Sequence, residues 1–369
     1  MVKPYHVCKI DSQDVSEVFV SAIPQTNVLP DQVEQVYAQI ANELATQKAR
    51  VFQERIFATQ AAMDTIEKVR RQVLGDQVDE VPPSYLVCDE GQTGPLSGVQ
   101  IHAIKSPTPP EIITTQDNRA CGRVFRTPAC DYLGLSALTM PDAGTAPDQA
   151  YAMFAQAQTI LQSFGADFLY VPRTWLWLGN ILDWYDGLNQ ARNRFFTELG
   201  ILGTKKRQPM PASTGIGLGP ANGAACAMDL TAILKPQGRI EYIQAGGKQQ
   251  SAYEYGSAFS RASKAPTPAG FGVFISGTAS IDADGKTTNI DDARAQIEDT
   301  IVNVKAVLRD MDCPEKDVVH VMAYCKTPEV ETLFRDLAGK PDWPWIPMIC
   351  DVCRDDLLFE IEALAMPQA

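Results

Sequence analysis

Two glutamates near the end of the chain, Glu360 and Glu362 in the run LLFEIEAL, stand where a pair of acids could handle a proton. In a β-strand, residues i and i+2 share a face. Leu358, Glu360 and Glu362 then lie on one side, with Leu357, Phe359, Ile361 and Ala363 on the other, which is a core face. The acids face either water, the common fate of the polar side of an alternating strand, or a pocket. Arg173 offers the opposite charge. It stands between FLYVP and TWLWL, both apolar, and a guanidinium there is costly to leave unpaired. It therefore requires an anion, either an internal carboxylate or a ligand carboxylate gripped in bidentate fashion. Arg261, in FSRAS, carries the same two readings. Tyr185 and Arg192 are seven apart, two turns along one helix face. They can serve one site, although Arg192 also suits an exposed face. Thr214 to Gly217, including Gly215, read as a tight turn that either presents backbone N–H donors or is purely structural. Trp175 and Trp177 read as core or pocket wall.

Other chemistries find little footing. The formal net charge of −13 over 369 residues argues against a general nucleic-acid surface. It leaves room for a small anionic substrate held by a few buried arginines. Only three histidines, His6, His102 and His320, are present, and they are dispersed. The nine cysteines are scattered apart from the C-x-x-C of Cys350 and Cys353, with no second pair to complete a zinc cage. Reduced thiols in a cytoplasmic protein are expected. No P-loop or G-x-G-x-x-G pattern is present, and GIGLGPANGAA lacks the Lys-Ser/Thr of a P-loop. The expectation is a protein without cofactor or metal. The N-terminal stretch lacks the apolar segment of a signal peptide, and no run reaches the length of a membrane span, so no membrane association is expected.

The elements that must position these residues form one order, repeated. In the last third, GVFISGTASI is a strand and DDARAQIEDTIVNVKAVLRDM a helix with 3-4 apolar spacing. KDVVHVMAYCKT is a strand, EVETLFRDLAG a helix, and WIPMICDVC with LLFEIEAL a closing pair of strands. The middle third gives DYLGLSALTM, PDQAYAMFAQAQTILQSFG, DFLYVPRTWLWL, WYDGLNQARNRFFTELG and GAACAMDLTAIL in the same order. The first third repeats it more faintly, from SEVFVSAIP to SGVQIHAI. The predicted fold is α+β, three β-α-β-α-β-β units in one chain. Pro-rich breaks divide it into a unit at 1–105, a linker at 106–120, a central unit at 121–235, a connecting segment at 236–270 and a third unit at 271–369. In this register Asp229 and Gln100 take the place of Glu360 in the other two units. Only the third unit has a glutamate there, which raises the case for a pocket.

FISGTASI, NVKAVL and FEIEALA in the third unit resemble the YjgF/RidA family, small α+β proteins that trimerise with ligand sites between subunits. The resemblance implies a covalent, monomeric pseudo-trimer whose clefts are free to diverge. The imine deaminases of that family carry an arginine just after a proline on the strand before the closing one. WIPMICDVC has none. The chorismatase family, which joins RidA-like units, is a nearer resemblance. PRTWLWLGNI, YDGLNQAR, MPASTGIG, FSRA, FISGTASI and CRDDLLFEIE follow its motifs in family order from Arg173 to Glu362. The sequence departs from that pattern at SAYEYGSAFSRA, a shortened form of the Y-P-x-x-Y-G-P-R segment that lacks its arginine, and at DADGK, where the family has G-H.

The chorismatase resemblance implies cleavage of the enolpyruvyl ether of chorismate, or a close analogue, with release of pyruvate. Such a reaction begins by protonating the vinyl methylene carbon and requires cations for two carboxylates. Glu360 matches the family's catalytic glutamate and is the candidate general acid. Its pKa would have to rise well above the unperturbed value of about 4.3. Glu362 is expected to orient a neighbour. Arg173, Tyr185, Arg192, Thr214, Gly215, Arg261 and Cys353 are the candidate substrate-binding residues. Cys353 resembles chorismatases that form 3-hydroxybenzoate, whereas Ala262 resembles those that yield a cyclohexadiene diol; the product stays open. The alternatives are a non-catalytic binder of small carboxylates and an imine or enamine deaminase.

Overall fold

The computed structural model describes residues 2–202, 209–244, 251–337 and 341–368. Three sheets follow one another along the chain. The first is built from β1 (Tyr5–Asp11), β2 (Ser16–Ala22), β3 (Arg50–Ala58), β4 (Ser84–Val87) and β5 (Leu96–Lys105), in the order β1-β2-β5-β3-β4. The second holds β6 (Glu111–Thr114), β7 (Ala120–Arg126), β8 (Asp131–Leu138), β9 (Arg173–Leu178), β10 (Ala212–Ile216) and β11 (Cys226–Lys235). The third holds β12 (Glu241–Ile243), β13 (Ala262–Thr267), β14 (Gly270–Ala279), β15 (Val318–Cys325), β16 (Trp345–Ile349) and β17 (Phe359–Ala365). The orders β10-β9-β11-β8-β7-β6 and β16-β15-β17-β14-β13-β12 repeat the first sheet in topology. The chain is a pseudo-trimer of three repeated α+β units.

Two helices cover one face of each sheet: α1 (Asp31–Gln47) and α2 (Met63–Leu74), α3 (Ala146–Ser163) and α4 (Ile181–Glu198), α5 (Ala293–Asp310) and α6 (Pro328–Leu337). Their starts are written locally. Thr145 and Asp148 form a reciprocal capping box on α3, and the Asp292 side chain accepts from Ala295 N at 3.0 Å on α5. Each helix pair closes a core of its own unit, for example Val304, Leu308, Phe359 and Ile361 in the third. The opposite faces of the three sheets meet one another. Phe57, Trp175, Trp177, Met322, Tyr324 and Ile346 form one apolar cluster drawn from all three units. Phe52, Tyr132 and Phe274 belong to a second. Trp175 and Trp177 are thus core residues.

The segments read as linker and connector carry strands. Residues 106–120 include β6, and 236–270 include β12 and β13, each pairing edge-on with its own sheet. MPASTGIG is likewise not a turn. It forms β10, parallel to β9 with Thr214 opposite Trp175. A Cβ at Gly217 would come within 2.5 Å of Asp351 O, the acceptor of the Gly217 N–H at 2.9 Å, so this glycine serves close approach of two units.

The register of the three closing strands differs from the sequence expectation by two residues. Glu360 lies opposite Tyr324, Ala227 opposite Trp177 and Gly98 opposite Phe57, and Tyr324, Trp177 and Phe57 pair in parallel with Met348, Ile216 and Leu86. Asp229 and Gln100 are therefore the counterparts of Glu362, not of Glu360. A slip of two residues leaves every side chain on its original face, so alternation alone cannot detect it.

Candidate active site

Both glutamates are buried, at 6% and 3% exposure for Glu360 and Glu362, so neither faces water. Their roles separate at once. The Glu362 carboxylate accepts from Arg173 Nη2 at 2.6 Å and from Trp175 Nε1 at 2.7 Å. Arg173 Nη2 also donates to Thr214 Oγ1 at 2.6 Å. Arg173 therefore sits in an internal ion pair behind the pocket and does not line it; the expected grip on a substrate carboxylate is not where this side chain lies.

The pocket itself lies between the second and third units. β10 brings Thr214 and Gly215, α4 brings Tyr185 and Arg192, Arg261 precedes β13, the turn into β17 brings Cys353 and Arg354, and β17 itself brings Glu360. Seven of the eight residues singled out from sequence line one cavity; Arg173 is the exception. Thr214 Oγ1 takes the Gly277 N–H at 3.0 Å as well as Arg173, so its oxygen ties β10 to β14. Arg192 donates to Asn189 Oδ1 at 2.6 Å, and Arg192 and Arg261 flank the Phe259 ring at 5.4 and 5.5 Å, a cation–π arrangement that holds both guanidiniums at the wall. Tyr185 follows a break in α4 at Trp184.

Two residues escaped the sequence reading. Arg354 stands in CRDD, among acids, where composition gives no hint that it reaches a pocket; the motif resemblance of CRDDLLFEIE was the signal that could have found it. Gly277 gave no signal either, yet a Cβ there would lie 2.0 Å from Glu360 Oε1. The glycine makes room for the carboxyl.

Electrostatically the pocket favours a protonated glutamate. Burial, with help from the Glu362 carboxylate, pushes Glu360 up to about 8, against the pull of Arg261, Arg354 and Arg173. Burial and the nearby Glu360 push the Cys353 thiol up to about 12, so it is a neutral thiol and not a thiolate nucleophile. Burial also raises the Tyr185 phenol. A buried, protonated carboxyl beside arginines can deliver a proton to an anionic substrate.

The other two clefts have been put to different use. In the second unit Ala227 stands where Glu360 does, and Asp229, the counterpart of Glu362, accepts from Arg55 Nε at 2.8 Å, Ser84 Oγ at 2.6 Å and Ala137 N at 2.9 Å. At Gly98, which stands where Glu360 does in the first unit, a Cβ would meet Ile346 Cγ2 at 2.8 Å, so no side chain fits there. Among the described residues no group of His, Cys, Asp and Glu could hold a metal, and no helix is long and apolar enough to cross a membrane.

The crystal structure of a chorismatase superposes with a TM-score of 0.65 at 19% identity, covering 98% of this chain and 100% of that one. The chain has the chorismatase fold. A 3-hydroxybenzoate synthase of Streptomyces hygroscopicus is 26% identical over 258 residues, 62% of this chain and 72% of that protein. A YjgF/YER057c/UK114-family protein of Mycobacterium tuberculosis matches 34% of the chain with a TM-score of 0.26 at 23% identity. No protein-family model matches.

Proposed function

We propose that the protein is an enzyme that cleaves the enolpyruvyl ether of chorismate, or of a close analogue, and releases pyruvate. The observation that carries this reading is Glu360, a buried carboxyl with its pKa pushed up to about 8, in one pocket with Arg192, Arg261 and Arg354. Glu360 gives its proton to the vinyl methylene carbon. The enol ether becomes an oxocarbenium ion beside the newly formed carboxylate. In hydrolysis, water adds to that cation, its proton returns to the Glu360 carboxylate and the hemiketal collapses to pyruvate and a ring diol; in aromatisation, the ring C–O bond breaks to release pyruvate, and the ring cation rearranges and loses a proton to the same carboxylate. Arg261 and Arg354 answer the need for two carboxylate partners that the absent Y-G-P-R arginine had left open. Cys353, a neutral thiol, and the 3-hydroxybenzoate synthase relative support the aromatising route; Ala262 favours the diol.

The cavity is only about 40 Å³, room for a water or two. A ring-sized substrate therefore requires the wall to part. That narrowness favours a second reading, a pocket that holds a small carboxylate without turnover. A coupled assay for pyruvate with chorismate, run beside Glu360→Gln, separates the two. Pyruvate from the wild type alone supports ether cleavage and its acid. No pyruvate from either, with thermal stabilisation by added pyruvate, supports the binder.

A further inference from the structure

A second cavity, far larger than the one at Glu360, lies between the first and second units. It measures about 720 Å³, within the range of roughly 300–1,000 Å³ common to small-molecule sites. It occupies the position between the first and second units that the Glu360 pocket occupies between the second and third. Pro83 and Tyr85 at β4 take the place of Ser213 and Gly215 at β10, and Ser136 and Ala137 on β8 that of the Gly277–Ala279 segment. Ala227 stands where Glu360 does, and the neighbouring acid, Asp229, is spent on Arg55, Ser84 and the Ala137 N–H. This cavity therefore lacks a proton donor of the Glu360 kind.

Its polar lining nonetheless points to a ligand. Ser136, 2% exposed, has its Oγ buried with no hydrogen-bond partner among the described residues, and the Tyr85 hydroxyl is in the same condition. A buried polar group left without a partner is destabilising, and a ligand hydroxyl at either position removes that cost. The walls around them are apolar, with Pro83, Leu138 and Met140. The charged groups at the cavity do not single out an anion: the guanidinium of exposed Arg119 is paired with Asp117 at 2.6 Å, and Glu80 is acidic.

We infer that this cleft is a binding site for a neutral, ring-containing molecule carrying a hydroxyl group, a phenol or cyclic alcohol, held between Tyr85 and Ser136. The site is distinct from the Glu360 pocket and does not depend on the reaction proposed for it.

The test uses the full chain and two probes. A crystal soaked with 4-bromophenol should show an anomalous bromine peak in the cleft near Tyr85 and Ser136. In solution, phenol binding followed by calorimetry should weaken about tenfold in Ser136→Ala, the loss of one hydrogen bond, and vanish in Gln156→Trp, which fills the cleft from the surface of α3. Benzoate should bind more weakly than phenol. Bromine found only elsewhere, or phenol affinity unchanged in both variants, would overturn the assignment. So would preference for benzoate. The soak needs no variant, so misfolding of Gln156→Trp would not shield the inference.

Discussion

Glu360 and Glu362 stand two residues apart on one strand, yet one is held by an ion pair and the other is pushed toward its neutral form. The consequence for activity has a definite sign. A general acid works only while protonated, so pyruvate release should be level below neutrality and fall as pH rises through about 8. Stability follows the same group. Its folded pKa of about 8 lies above the ordinary 4.5, so the folded state binds the extra proton between those values. The contribution is complete below about 4.5, falls by up to ~1.4 kcal/mol per pH unit and is gone above about 8. Glu360→Gln cannot ionise. Urea unfolding of this variant should show a gain over wild type that grows with pH across that window. Parallel stability curves for the two proteins would mean that Glu360 is not held neutral.

The elements around these residues were legible to different depths, and the difference is physical. Strand β17 announced its faces because alternation has a period of two, and Phe359 and Ile361 are buried in the third unit's core as that pattern requires. Tyr185 and Arg192 were legible as a pair because seven residues make two helical turns. Gly277 was not, because its role is a space filled by a side chain from another strand. Gly277→Ala should move the Glu360 carboxyl, which is the flexible end of a side chain. The fold should tolerate the change while turnover falls on the order of a hundredfold, as misplacement by about 1 Å can cause. Thermal melting and the pyruvate assay, read together, check both halves. Arg173 posed the opposite problem, since sequence offered both an internal and an external anion and the partner, Glu362, is remote along the chain. As a positioning residue, Arg173→Met should cost about 3–5 kcal/mol by leaving Glu362 buried and unpaired, and Arg173→Met/Glu362→Met should recover most of it. A variant of unchanged stability with a raised KM would instead put Arg173 on the substrate.

At the scale of the molecule, the threefold repeat was readable because each unit brings its own helix periods and closing strand. The fates of the clefts were not, because each is decided by contacts between units: Arg55 on Asp229, Ile346 on Gly98, Arg173 on Glu362. Those contacts also join the units into one folding body. The cluster containing Phe57, Trp175, Trp177, Met322, Tyr324 and Ile346 belongs to no single unit, and separating the units would bring it to water. Arg55→Met tests this coupling away from the candidate acid. It leaves Asp229 buried against Ser84 and the Ala137 N–H without its cation, a loss of about 3–5 kcal/mol. If the three units unfold together, calorimetry should show one transition displaced to lower temperature. Pyruvate release at Glu360 should be unchanged below that transition, since Arg55 does not line its pocket. Two resolved transitions, with turnover surviving the first, would show that the first unit folds apart from the catalytic pair and that the shared cluster does not couple them.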